Sequence, residues 1–309
     1  MRVAVMGTGG LGGCIGGLLA HAGEDVSLIA RGANLEALRA KGLTVKSIPA
    51  GEFNLPLFAT NDPADIGSVD LVLFCVKTYD TDGAAEQIRP LIGSDTIVLS
   101  TQNGVDGADR IASVIGYEHV LGAISTVNAH LEAPGVVVQH LNHGMEIGEL
   151  DGRASQRTEE VVKTFERAGI PCTARTDIWS AIWEKFGAFV ALVGTETAAR
   201  LPAGPLRSCP EAQELMKGIL EETAAVAEAT GIKLKESYVE DALLLINEVA
   251  PPTHMGSMYV DLLAGKRLEV DAINGALVRI GKEHGVPTPF NLAVYALLKP
   301  YADGVPELP

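Results

Sequence analysis

Val3-Ala4-Val5-Met6-Gly7-Thr8-Gly9-Gly10-Leu11-Gly12 stands near the start of the sequence and decides its fold. A short apolar, β-branched run is a strand candidate, and here it leads directly into the pattern G-x-G-x-x-G. Cys14 to Ala22 then reads as a helix of small residues ending near Gly23, and Asp25 to Ala30 as a second strand. Strand, Gly-rich turn, helix and strand within about 30 residues form the βαβ context that gives the glycines meaning. Gly7 permits the tight turn, Gly9 lets backbone approach a pyrophosphate, and Gly12 lets helix and strand pack closely. Thr8, Gly10 and Leu11 complete the cradle, and the helix N-terminus offers unpaired N–H groups to the phosphates. The second strand runs out into Ala30-Arg31-Gly32. A site selective for NAD has Asp or Glu at this point; Arg31 would meet a 2′-phosphate, so NADP is the expected cofactor.

The alternation continues downstream. Asp70 to Val76 is almost continuously apolar, as a parallel strand buried on both faces should be. Thr81 to Ile92 reads as a helix, Asp95 to Ser100 as a strand, Asp106 to Ile115 as a helix, and His119 to Ala123 as a strand. Val136 to Leu141 and Met145 to Leu150 read as a hairpin about Asn142-His143-Gly144. Ser155 to Ala168 reads as a helix and Cys172 to Thr176 as a last strand. From Asp177 to Tyr301 the periodicity is helical, with candidates near 178–197, 210–230, 236–249, 257–264, 270–284 and 288–302. The fold class expected is α/β: a Rossmann-type doubly wound sheet over residues 1–175, then an all-helical domain over 176–309, a candidate substrate and dimerisation domain. The tail Gly304 to Pro309 is expected to fray.

Composition narrows the function. The 309 residues suggest about two domains and are 47% hydrophobic and 20% charged, a core-forming balance. Lys and Arg number 24 and Asp and Glu 39, a net charge of −15, which argues against a nucleic-acid surface. Cys14, Cys75, Cys172 and Cys209 form no CxxC pair, and the first two sit in apolar runs, which fits a reducing compartment. His21, His119, His130, His140, His143, His254 and His284 show no metal-site spacing. No apolar run approaches the about 20 residues of a membrane span, and no signal peptide is evident. The expectation is a soluble, cytoplasmic protein without a metal, a nucleic-acid partner or a membrane partner.

Further segments stand in a specific order: Val76-Lys77-Thr78, Gln102-Asn103-Gly104, Trp183-Glu184-Lys185, Ser257-Met258-Tyr259, and Glu269-Val270-Asp271-Ala272-Ile273-Asn274-Gly275. Together with the N-terminal glycines and Arg31, they make the chain resemble the ketopantoate reductase family over nearly its full length. The resemblance implies NADPH-dependent reduction of a 2-oxo acid, ketopantoate to pantoate in the simplest case. Lys185 matches the lysine that protonates the ketone oxygen as hydride arrives, a role that suits a residue whose pKa shifts readily on burial. Glu269 matches the acid that orients that lysine and the substrate. Asn103 matches the asparagine beside nicotinamide and substrate, Lys77 a cofactor-domain lysine, and Ser257 the serine for the substrate carboxylate. Asp261 is expected to support the fold or the surroundings of Lys185 rather than touch substrate. The resemblance places the site in a cleft between the domains, and the helical half is a candidate homodimer interface.

The chain also departs from the family. The family's substrate-binding asparagines, four and eight residues after the lysine, are Phe189 and Val193 here, and the asparagine before the serine is His254. Removing two amides adds apolar surface and takes away partners for a substrate hydroxyl, whose burial unpaired costs about 1–3 kcal/mol. Two other readings therefore stand beside the first. One is a dehydrogenase of the same fold for a bulkier or more apolar 2-hydroxy acid; the other is an NADP-binding sensor without turnover.

Overall fold

In the computed structural model, which describes residues 1–48 and 50–306, the chain forms two compact units. The first comprises residues 1–102 and 107–178, the second 103–106 and 179–309. Residues 307–309, the end of the tail expected to fray, lie outside the described residues.

Among the described residues the first unit holds ten strands: β1 Arg2–Met6, β2 Asp25–Ile29, β3 Leu43–Ser47, β4 Gly51–Leu55, β5 Phe58–Thr60, β6 Leu71–Phe74, β7 Ile97–Ser100, β8 Val120–Ala133, β9 Val136–Glu149 and β10 Cys172–Ala174. Five helices accompany them: α1 Gly10–His21, α2 Gly32–Lys41, α3 Thr81–Gln87, α4 Gly107–Ile115 and α5 Gln156–Arg167. One half of the sheet runs β5-β2-β1-β6-β7-β8, all parallel. This is the doubly wound dinucleotide-binding order 3-2-1-4-5-6, with β1 at the point where the order reverses. β1, β6 and β7 are the strands with apolar sequence runs, and every residue of β6 and β7 is buried.

Beyond β8 the sheet departs from the simple pattern. β9 pairs antiparallel with β8, β3 and β10 pair parallel with β9, and β4 pairs antiparallel with β3. The extended sheet curls so that α1 packs on β1 from one side and on β3 and β9 from the other. Gly12 and Gly16 face Val5, while Gly13 faces Val137 and Gly17 faces Val45. Eight of the twelve residues of α1 are buried, and a Cβ on Gly17 would sit 2.5 Å from Val45 Cγ2. Two glycine pairs four residues apart therefore serve two different faces of the helix.

Two expectations are corrected here. The hairpin expected about Asn142-His143-Gly144 is absent: β9 runs unbroken from Val136 to Glu149, and the turn lies at Pro134-Gly135, where Gly135 has φ +77°. Gly144, at φ +103°, marks close passage of Pro171, whose carbonyl accepts from Met145 N–H at 2.8 Å. Residues 43–60, where no element is expected from the sequence, form β3, β4 and β5.

The second unit is helical: α6 Ile178–Ala199 (its first residue is counted with the first unit), α7 Ala203–Arg207, α8 Pro210–Ala229, α9 Tyr238–Leu244, α10 Ser257–Leu263, α11 Asn274–His284 and α12 Pro289–Leu298. A π-helical turn, Leu245–Val249, extends α9. Buried polar groups set the packing. Glu222 of α8 accepts from the N–H groups of Phe290 and Asn291 at 2.7 and 2.9 Å, capping α12, and also takes the Asn291 amide at 2.7 Å. Asn291 in turn accepts from Asn274 at 3.0 Å. Asn274 is fully buried, so this member of the Glu269-to-Gly275 segment holds the core together. Among the described residues no helix is long and apolar enough to cross a membrane.

Candidate active site

The glycine turn of the first unit is built on backbone bonds. Gly7 and Thr8 both donate their N–H groups to Ile29 O, at 3.3 and 3.1 Å, joining the end of β1 to the end of β2. Gly7 has φ +95°, a left-handed value that favours glycine, and Gly12 lies directly against the Gly7 carbonyl. Thr8 Oγ1 donates to the Ile29 carbonyl at 3.1 Å and is buried, so its side chain locks the turn. Leu11 packs against the core of the unit.

Gly9 is different. Its φ of −86° suits any residue, and a Cβ there would meet no protein atom within 4 Å. The protein does not need glycine at position 9, whereas a phosphate in contact with the backbone would. α1 begins just after it with no side-chain cap and no acidic residue in its first turn. An uncapped helix start beside an open glycine fits a dinucleotide pyrophosphate.

Arg31 is exposed at the end of β2 and pairs with Asp80 at 2.8 Å. Lys77 is partly buried and stands between β6 and the short turn Thr78–Asp80. Gln102 secures the neighbouring strand end, its amide donating to Val76 O at 3.0 Å and to Thr81 Oγ1 at 2.9 Å. Asn34 was not legible as a site residue. Its amide donates to Thr8 O at 2.6 Å and its oxygen accepts from Gly135 N–H at 2.8 Å, tying the glycine turn to the β8–β9 hairpin. These partners lie 26 and 101 residues away, so no local pattern marks it.

The second unit brings Lys185 of α6 to Asn103, with Nζ 3.4 Å from Asn103 Oδ1. Burial pushes the Lys185 ammonium down to about 8, because an apolar surrounding disfavours the charged form. Lys185, Phe189 and Val193 are spaced by four along α6 and so share one face. Phe189 is partly buried. Val193 is 1% exposed and lies against Gly256, where a Cβ would overlap its methyls. Its side chain is thus taken up in packing.

Ser257 is exposed at the first position of α10, and Glu269 is buried. Asp261, expected to support the fold, lies 3.9 Å from Lys266. His254 is partly buried and its Nδ1 is 2.8 Å from Glu196 Oε1. Glu196 is the second residue that sequence reasoning missed. It is fully buried on α6 and also accepts from Gly256 N–H at 2.8 Å. An isolated Glu in an apolar helix was the available signal, since a buried carboxylate needs partners.

Comparison with known proteins bears on this arrangement. The sequence profile described as "Ketopantoate reductase PanE/ApbA" matches residues 3–152, and its C-terminal counterpart matches residues 177–302. The chain belongs to the ketopantoate reductase family. It is an oxidoreductase, and its Rossmann-type sheet and helical half are the architecture of its structural neighbours. Among curated relatives, the 2-dehydropantoate 2-reductase of Archaeoglobus fulgidus is 33% identical over 98% of this chain and 99% of its own length. The crystal structure of a PanE/ApbA family ketopantoate reductase from Ralstonia eutropha has a TM-score of 0.89 at 34% identity, covering 97% of each chain. A ternary structure of D-mandelate dehydrogenase with NADH and anilino(oxo)acetate shares the fold, with a TM-score of 0.88 at 24% identity over 97% of each chain.

Proposed function

We propose that this protein reduces a 2-oxo acid to the 2-hydroxy acid with NADPH, and that the acid is 2-dehydropantoate, as the names of its relatives suggest. The observation that carries the reading is Lys185, with its ammonium lowered to about 8 by burial and its Nζ beside Asn103. A bound nicotinamide supplies hydride to the keto carbon. As alkoxide charge grows on the oxygen, Lys185 stabilises it and delivers the proton. Asn103 orients the Lys185 ammonium, Ser257 donates to the substrate carboxylate, and Glu269 orients the lysine and the substrate. The uncapped start of α1 and the open face of Gly9 take the pyrophosphate, with Lys77 at the end of β6 as a further cofactor contact.

Arg31 supports NADPH over NADH. Its pairing with Asp80 is a surface contact, and such pairs contribute about 0–1 kcal/mol. A 2′-phosphate brings roughly −1.5 to −2 charges and three acceptor oxygens, so it competes well for the guanidinium. Arg31→Ala is expected to raise the KM for NADPH about tenfold or more and to leave the KM for NADH within about twofold. Equal changes for both cofactors would remove Arg31 from phosphate recognition.

The test of the function is nicotinamide oxidation by the purified protein, with NADPH and NADH offered separately. The acids offered are 2-dehydropantoate, alkyl 2-oxo acids and phenylglyoxylate. Turnover of 2-dehydropantoate with NADPH is expected. Phe189 and the loss of both family amides from α6 favour the second reading, a more apolar acid, which turnover of alkyl or aryl acids alone would establish. NADPH binding without any turnover would point to the sensor.

A further inference from the structure

Residues 103–106 lie in sequence between β7 and α4 of the first unit, yet they belong to the second. Contacts within the second unit therefore set their placement. Asn103 Oδ1 is 3.4 Å from Lys185 Nζ on α6. Gly104 has φ +127°, a left-handed value that favours glycine, and a Cβ there would lie 3.4 Å from the Ala272 carbonyl oxygen. Val105 is buried. Asp106 Oδ2 accepts from the Arg279 guanidinium of α11 at 2.7 Å.

The contacts of Gly104 and Asp106 come from one piece of chain. Ala272 lies in the turn that follows Glu269, where the N–H groups of Ala272 and Ile273 donate to the Glu269 carbonyl at 3.0 and 3.1 Å. α11 then begins at Asn274, which is fixed by its bond to Asn291. Arg279 follows Asn274 by five residues, about one and a half turns. Its Nη1 is 3.5 Å from Glu283 Oε1, one turn further on. The guanidinium thus stands between a carboxylate of its own helix and the carboxylate of Asp106.

The side chains of Arg279 and Asp106 are 49% and 24% exposed. An ion pair so open to water adds little to stability. Its effect is local: it fixes the last residue of a four-residue segment whose first residue faces Lys185. The second residue is glycine, the most permissive backbone link, so Asn103 keeps one position only if the chain is held beyond Gly104. We propose that Arg279 and Asp106 are positioning residues, whose ion pair holds residues 103–106 on α11 and so keeps Asn103 Oδ1 beside the Lys185 ammonium. This rests on the function proposed above and deepens it.

Two measurements test it, reduction of a 2-oxo acid with NADPH and backbone motion. Arg279→Ala and Asp106→Ala are each expected to lower kcat about tenfold, because a displaced group beside the reacting atoms is costly. The KM for NADPH should stay within about twofold and the melting temperature within about 3 °C. The double variant is expected to fall no further than either single one. Arg279→Lys, which keeps the charge, is expected to recover most of the lost kcat. In an Asn103→Ala background, Arg279→Ala is expected to cost no further kcat, a pattern that a merely structural role would not give. Additive losses of Arg279→Ala and Asn103→Ala, or wild-type kcat in Arg279→Ala, overturn the proposal. Backbone 15N relaxation gives a readout that needs no turnover. The order parameters of residues 103–106 are expected near about 0.85 in the wild type and to fall toward about 0.6 in Arg279→Ala, with α11 unchanged. Equal values in the two proteins overturn the proposal, whatever the activity. If the wild type reduces no 2-oxo acid, the function proposed above fails, while the relaxation result still decides whether Arg279 holds the segment.

Discussion

Lys185→Ala is expected to lower kcat for 2-oxo acid reduction about 10²- to 10⁴-fold, the range for removal of a positioned proton donor. Its effect on NADPH affinity, measured by fluorescence titration, should be within about twofold, because the glycine turn and Arg31 are unchanged. Folding should not suffer: a buried cation is costly to desolvate, so Lys185→Met is expected to unfold at the same temperature as the wild type or a higher one. The pH profile gives an independent check. In the proposed reaction Lys185 would act in reduction as the ammonium, and burial lowers its pKa to about 8. Reduction should therefore decline as pH rises through about 8, and oxidation of the hydroxy acid, which needs the free amine, should rise over the same interval. Retention of more than a tenth of wild-type kcat in Lys185→Ala would refute the assignment.

Gly10→Val and Gly9→Ala are expected to fail in different ways. A Cβ on Gly10 would lie 2.5 Å from His130 Cα and 2.6 Å from Ala129 O, both backbone atoms of β8. Neither can move without shifting the strand, so Gly10→Val should destabilise the protein by about 3 kcal/mol and lower the melting temperature by roughly 6–12 °C. Gly9→Ala meets no protein atom and keeps an ordinary φ, so its stability should stay within about 0.5 kcal/mol of wild type. Its NADPH affinity should fall about tenfold or more, because the added methyl occupies the side offered to the pyrophosphate. Calorimetry and cofactor titration on the two variants separate the effects. A Gly9→Ala protein with unaltered NADPH affinity would place the pyrophosphate elsewhere.

Much of the first unit was legible because its signals are local. The apolar runs of β1, β6 and β7 follow from burial on both sheet faces, and the glycine turn follows from its place between β1 and α1. In the second unit, α6 and α8 fall close to their expected spans for the same reason. Gly144 misled because a glycine required by the passage of Pro171 looks the same in sequence as one required by a turn. Thr8 was readable as part of the glycine turn, but the inward direction of its side chain was not.

The amino-acid sequence by itself determined the βαβ start, the change from strands to helices near Asp177, and the order of segments that marks the family. These depend on periodicity, turn chemistry and spacing along one chain. Only the tertiary structure decided that Gly10 is held by β8, that Asn34 ties Thr8 to Gly135, and that Glu196 holds His254 and Gly256. The contacts of Asn34 and Glu196 join residues 26 to 101 positions apart. The need for a partner is local to a buried polar group or a small residue, but the identity of that partner is set by how the chain returns to it.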